Sequence, residues 1–203
     1  MNEPESFRPI SRPCDEEYSV SGLAYSRLIP GGVNILQLLY DNFFFLKELL
    51  ILCTEEQLLY KYDSGKWTIK ETLVHLIDDE RIYSYRALCI GRNESQILPG
   101  FDQDNYVFYS NANQRTLLTI FDEYVAVRMA TLRLFNNLPE DALLRTGYAD
   151  HSRVSVRALV YHIAGHELHH LEILKGRYDI APPSGDRSQG KSHGRTARGE
   201  DKI

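Results

Sequence analysis

The sequence predicts an all-α protein: a four-helix bundle with long crossover loops and a disordered C-terminal tail. Three observations carry this. Four long segments repeat their apolar residues with a helical period, and strand alternation is almost absent. The turn signals between those segments leave two long connections, which suit crossovers better than up-and-down hairpins. Of 203 residues, 43% are hydrophobic, enough for one sizeable core. The expected division is an N-terminal arm at 1–30, the bundle at 31–178 and a tail at 181–203.

The first helix is expected from about Gly32 to Leu52, starting after Pro30-Gly31-Gly32. Its run, VNILQLLYDNFFFLKELLILC, is apolar enough to be buried on most sides. The second runs from about Ile69 to Ile90. Thr68 and Glu71 form a capping box at its start, and Gly91 stops it. Ile69, Leu73, Leu76, Tyr83, Ala87 and Ile90 fall in one stripe. A loop of roughly twenty residues follows, and loops that long are usually functional or disordered. Ile97, Leu98, Phe101, Tyr106, Phe108 and Tyr109 lie in it, so it reads as packed over the domain. The third helix is expected over Ala112–Asn137, with Ser110 or Asn111 as N-cap and Pro139 beyond its end. Thr146–Val154 reads as an irregular or short extended connection. The fourth helix is expected over Val156–Lys175, with Ser155 as N-cap and Gly176 as the C-cap glycine. From Ala181 the chain is Gly-, Ser- and charge-rich, which predicts disorder.

Charge and composition exclude several classes. Lys plus Arg number 23 against 28 Asp plus Glu, a net charge of −5, so the basic footprint of a nucleic-acid binder is missing. The longest apolar run, Phe43–Cys53, is broken by Lys47 and Glu48 and cannot span a bilayer. The N-terminus has no apolar signal core. Cys14, Cys53 and Cys89 are too scattered for a disulfide framework or a metal site, and the last two read as inert thiols among apolar neighbours. A cytoplasmic protein with neither a nucleic-acid nor a membrane partner is the expectation.

The chemistry concentrates on the fourth helix. Four of seven histidines lie in His162-Ile-Ala-Gly-His166-Glu-Leu-His169-His170. At 100° per residue from Leu159, His166 and His170 fall at about −20° and about 20°, mid-stripe and one turn apart. His162 and His169 fall on the stripe's edge. Burying two adjacent imidazoles costs free energy unless their nitrogens find partners, and a divalent metal partners both. His75, on the flank of the second helix's stripe, completes three imidazoles. Three protein ligands leave a position for water or substrate. Glu80 falls mid-stripe and must be bonded: to an imidazole N–H, to Arg81 or to a tyrosine.

The same stretch matches H-E-x-x-H, the zinc peptidase motif, with Glu167 as its general base. Glu167 lies about 80° from the stripe centre on the helical wheel. No histidine follows at the spacing that supplies a third ligand, and an all-α bundle offers no edge strand to a peptide. The peptidase is therefore the weaker reading. A di-iron bundle needs Glu-x-x-His twice, and Glu167–His170 is the one instance.

These residues carry a resemblance. Arg12-Pro13 with Glu17-Tyr18, Lys66-Trp67-Thr68, His75-Leu-Ile-Asp78-Asp79-Glu80-Arg81 and Tyr85-Arg86-Ala87-Leu88 match a known pattern. So do the loop Leu98-Pro-Gly-Phe-Asp102-Gln-Asp104-Asn-Tyr106-Val107 and Gly165-His166-Glu-Leu-His169-His170. Over Arg12–Tyr178 the chain resembles the DinB-like superfamily of metal-binding four-helix bundles, which includes thiol-dependent S-transferases. The resemblance implies a metal triad of His75, His166 and His170, the three that spacing selects. It also implies a homodimer, for which the apolar first helix offers a face, and a metal that binds and activates a thiol. His162 departs from the pattern, and reads either as a spare ligand or as a group that supports one from behind.

The expected function is a mononuclear zinc, nickel or iron site that activates a water or a small-molecule thiol toward an electrophile. Asp102, Asp104 and Tyr106 are candidates for the substrate pocket, with loop capping and packing as the equal alternative. The competing function is a non-enzymatic, metal-stabilised bundle that binds a small ligand or a protein.

Overall fold

The structure, a computed structural model, describes residues 6–178 and 180. Its helices are α1 (Val20–Ser26), α2 (Ile35–Leu50), α3 (Glu55–Leu59), α4 (Ile69–Gly91), α5 (Gln103–Tyr109), α6 (Leu117–Asn137), α7 (Glu140–Leu144) and α8 (Val156–Arg177). A two-stranded hairpin, β1 (Thr146–Ala149) and β2 (Ser152–Ser155), leads into α8. The expected tail from residue 181 lies outside the described residues.

Four long helices make the bundle: α2, α4, α6 and α8. Helix α4 packs on α6 and α8, and α2 packs on the same two. Cross-helix pairs give the directions. Arg81 bonds Glu123 and Ser84 bonds Thr131, so α4 and α6 run parallel. His75 meets His166 and Asp79 faces His162, so α4 and α8 run antiparallel. Parallel neighbours cannot be joined by a tight turn, so the chain between α4 and α6 returns along the bundle. The crossover topology is the one expected.

Local chemistry sets each end. Asn34 caps α2 by accepting from the N–H groups of Leu36 and Gln37. Thr68 and Glu71 close the capping box of α4, at 3.0 and 2.8 Å. Three expectations need correction. The long loop is not continuous coil: Asp102 caps the short helix α5 within it. The third long helix starts later than expected, capped by Thr116 rather than Ser110 or Asn111. Gly176 lies inside α8, whose C-cap is Tyr178. The extended connection is a hairpin, turned by Asp150 and His151 at φ 48° and 60°, the left-handed pair of a type I′ turn. Cys53 lies beyond α2, half-buried like Cys89.

The core is divided. One apolar cluster holds Ile35, Leu39, Ile90, Phe135, Leu159 and Ile163; the other holds Leu46, Leu50, Leu73, Ile77, Phe121 and Leu174. Each such side chain contributes about 1.5–3 kcal/mol by leaving water. Between the clusters every bundle helix places a buried polar residue: Asn42, Asp79 and Glu80, Arg128 and Thr131, and His162, His166 and Glu167. The candidate site lies in this polar belt.

Candidate metal centre

The belt has two parts. The first is an ionic cluster around Arg128. Its Nε lies 3.0 Å and its Nη2 3.0 Å from the Glu80 carboxylate. Nη2 also donates to Glu167 at 2.7 Å and to the Tyr124 hydroxyl at 2.9 Å, and Nη1 donates to the Leu39 carbonyl. Asn42 and Tyr124 donate to Glu167 as well. Glu80 thus pairs with Arg128, whereas Arg81 is bonded to Glu123. Burial, followed by the Glu80 charge, pushes the Glu167 carboxyl well above its ordinary range.

Glu167 is buried, with 1% of its surface exposed, although its helical angle puts it far from the apolar stripe. Its carboxylate is held by Tyr124, Arg128 and Asn42, which leaves the general base of the H-E-x-x-H reading tied up in the ionic cluster.

The second part is a histidine ladder between α4 and α8. His75 and Asp79 stand one turn apart on α4, facing His162, His166 and His170, each one turn apart on α8. His166 Nε2 lies 3.0 Å from His75 Nε2 and 3.0 Å from His170 Nε2. His75 and His166 are buried, and His170 is half-buried. Burial first, then the neighbouring His166, pulls His75 down to about 3. Burial, His166 and His75 likewise hold His170 well below its ordinary value. Both imidazoles are neutral lone-pair donors at pH 7.

The third imidazole is set by Asp79. Its Oδ2 lies 3.1 Å from His166 Nδ1, so the His166 ring proton belongs on Nδ1 and its Nε2 lone pair faces the other two rings. Burial raises the Asp79 carboxyl, but His166 and His162 outweigh it and hold it well below the usual carboxylate range. A carboxylate behind a ligating imidazole is the arrangement that fixes tautomer and ring orientation in metal sites. The ligand atoms of His75, His166 and His170 lie within 4.8 Å of one another. Three imidazole nitrogens so close, one ring oriented by Asp79, form a donor set that fits a divalent cation.

Aromatic rings flank the ladder. The Trp67 indole, just before the α4 cap, lies 4.6 Å from His75 and 6.4 Å from His170. Tyr25, on α1, lies 5.2 Å from His166 and 5.3 Å from His169. Helix α1 seats closely because α8 carries Gly165 there: a Cβ at that position would stand 2.5 Å from the Tyr25 carbonyl oxygen. His162, expected at the stripe's edge, is buried and stacked on Tyr83 at 3.6 Å.

The loop candidates lie at the start of α5 and on it, and α5 packs against α4. Asp102 and Asp104 are exposed, with Asp102 engaged as the α5 cap; Tyr106 is 47% exposed and packs on Phe101. Asp79, Trp67 and Tyr25 are not among the sequence candidates, nor are Arg128, Tyr124 and Asn42, the partners of Glu80 and Glu167. Asp79 had a signal, one turn past His75 on the same face; Tyr25 had none, because α1 is a seven-residue helix.

Known proteins share the family and the fold of this chain. Residues 45–174 match the DinB superfamily. A protein of Oceanobacillus iheyensis described as a "putative metal-dependent hydrolase" is 28% identical over 123 residues, covering 60% of this chain and 70% of its own. The fold is shared with YfiT from Bacillus subtilis, described as "a probable metal-dependent hydrolase with an unusual four-helix bundle topology". That match has a TM-score of 0.63 at 16% identity and covers 81% of this chain and 90% of that one. The family match spans well over half the chain and includes α4 and α8 up to Leu174, and with them every histidine of the ladder: the chain belongs to the DinB superfamily.

Proposed function

We propose that this protein binds one divalent cation (zinc, nickel or iron) through His75, His166 and His170. The bound cation serves either a metal-dependent hydrolase or a thiol S-transferase acting on a small molecule. The observation that carries the reading is the convergence of three Nε2 atoms from two helices, with Asp79 fixing the tautomer of His166. The Oceanobacillus relative's description as a metal-dependent hydrolase supports it. A bound cation supplies Lewis acidity that lowers the pKa of a ligated water or thiol.

The chain's own residues do the rest. His75 and His170 present lone pairs without first losing a proton, and Asp79 orients His166. Glu80, the one mid-stripe carboxylate able to close the coordination sphere, is instead held by Arg128. The partly exposed edge at His170, beside Trp67, is the side from which a small molecule reaches the site.

The test is metal analysis of the wild type beside His166→Ala, followed by assays of activated esters and of thiol–electrophile pairs. About one metal per chain, lost in the variant together with turnover, supports the reading. Full metal content in His166→Ala overturns the site. Metal without turnover of either substrate class leaves the metal-stabilised binding bundle in its place.

A further inference from the structure

A second trio lies beside the first: Asp79, His162 and His166 also bring ligand atoms within 4.8 Å of one another. Both ring nitrogens of His162 are buried, and neither has a hydrogen-bond partner among the described residues. The ring is not free to seek one elsewhere. Tyr83 lies parallel to it, 3.6 Å away at 5°, and the Tyr25 ring meets it edge-on at 5.4 Å. Gly22 closes the other edge, where an added Cβ would stand 3.5 Å from Nδ1. What His162 faces is Asp79: its Nε2 lies 3.6 Å from Oδ2, the same oxygen that His166 Nδ1 approaches at 3.1 Å.

A second cation at this trio fits poorly. It would sit across one imidazole from the first, and His166 would have to give up both ring protons to bridge them. Asp79 is the single carboxylate in the two donor sets, too little charge for two buried dications. A carboxylate oxygen, by contrast, has room for two N–H donors. The gap of 3.6 Å is about half an ångström beyond a hydrogen bond, within the reach of a small shift of either side chain.

We propose that His162 is a positioning residue: its Nε2–H is the second donor to Asp79, so one carboxylate ties His162 and the metal ligand His166 into a single relay across α4 and α8. With two donors the Asp79 oxygen is fixed in direction, and so is the imidazole of His166. The proposal rests on the metal reading above, and its test separates the two.

The experiment loads the full chain with Co2+ and measures stoichiometry, affinity by chelator competition, and the visible ligand-field spectrum. The proteins are wild type, His162→Phe, His162→Gln, Asp79→Asn and the Asp79→Asn/His162→Phe double variant. Phenylalanine keeps the stack on Tyr83 but has no N–H; glutamine lacks the ring but can donate to Asp79. The relay predicts one Co2+ per wild-type chain, about tenfold weaker binding and a shifted spectrum in His162→Phe, and recovery of most of that affinity in His162→Gln. In the Asp79→Asn background His162→Phe should cost nothing further, a coupling readable even where one single variant folds poorly. Unchanged affinity and spectrum in His162→Phe would overturn the relay and leave His162 a packing residue. So would a His162→Gln as weak as His162→Phe. Two Co2+ per wild-type chain, one of them lost in His162→Phe, would replace the relay with a second cation site. A wild type that binds no Co2+ overturns the metal reading itself, and the relay with it.

Discussion

The indole of Trp67 lies 4.6 Å from the imidazole of His75, and it is the single tryptophan of the chain. The site therefore carries its own fluorophore. Co2+ or Ni2+ bound at His75, His166 and His170 should quench Trp67 emission saturably, and His75→Ala should abolish the quenching. Titration followed by emission near the indole maximum checks this; quenching that survives in His75→Ala would place the cation elsewhere.

Arg128 and Glu167 make a different prediction, about stability. Arg128→Ala leaves Glu80 and Glu167 buried without their cation and should lower unfolding stability by about 3–5 kcal/mol. Glu167→Gln keeps one acceptor oxygen for Arg128 and Tyr124 but gives up a charge-assisted hydrogen bond, and should cost about 1.5–3 kcal/mol, less than Arg128→Ala. Urea unfolding of the metal-free proteins measures both. Glu167→Gln should also keep its full metal content, since Glu167 bonds Arg128, Tyr124 and Asn42 rather than the histidines.

Gly165 and Tyr25 give a steric test. Gly165→Ala puts a methyl group where the Tyr25 carbonyl stands, so α1 must move away from α8. The expected cost is about 1–3 kcal/mol, typical of overpacking. Limited proteolysis should show faster cleavage between Arg12 and Arg27 in the variant than in the wild type.

Much of this architecture was legible in the sequence, and the misses share a cause. The long helices announce themselves because ten or more residues repeat one period, and Thr68 with Glu71 marks the start of α4 within a residue. His166 and His170 stand out because two imidazoles occupy the centre of an apolar stripe. Glu167 and His162 were misplaced because the wheel assumes one buried face. Helix α8 is covered on further sides: Glu167 by α2 and α6, and His162 by α1, whose seven residues are too few to show a period. Helix α5 escaped for the same reason. The hairpin escaped because its turn is Asp150-His151 rather than a glycine pair. Asp79 was passed over because a carboxylate on a helix flank looks like solvated surface until the partner helix is in place.

Acid should loosen the arm. Burial raises the Glu17 carboxyl, but the Arg157 guanidinium, 2.8 Å away through Nε, and its other hydrogen bonds outweigh it and bring it down to about 2. A carboxyl depressed in the folded state adds stability that is fully present above its unfolded value near 4.5 and is lost as pH falls through about 2. The melting-temperature gap between wild type and Glu17→Gln should therefore be constant near neutrality, shrink from about pH 4.5 downward and close near pH 2. A gap that stays open at pH 2 would assign the stabilisation to packing rather than to charge.

His75 and His166 touch across α4 and α8, yet 91 residues separate them along the chain. Nothing shorter than that span contains the cation pocket. A nascent polypeptide can complete α4, the return segment and α6 without owning either of the two donor sets found among the described residues. Stray ions met during synthesis would find at most one isolated imidazole on α4, a weak lure. A cation held as proposed would therefore bind only after α8 has docked on α4, and its retention would report that docking.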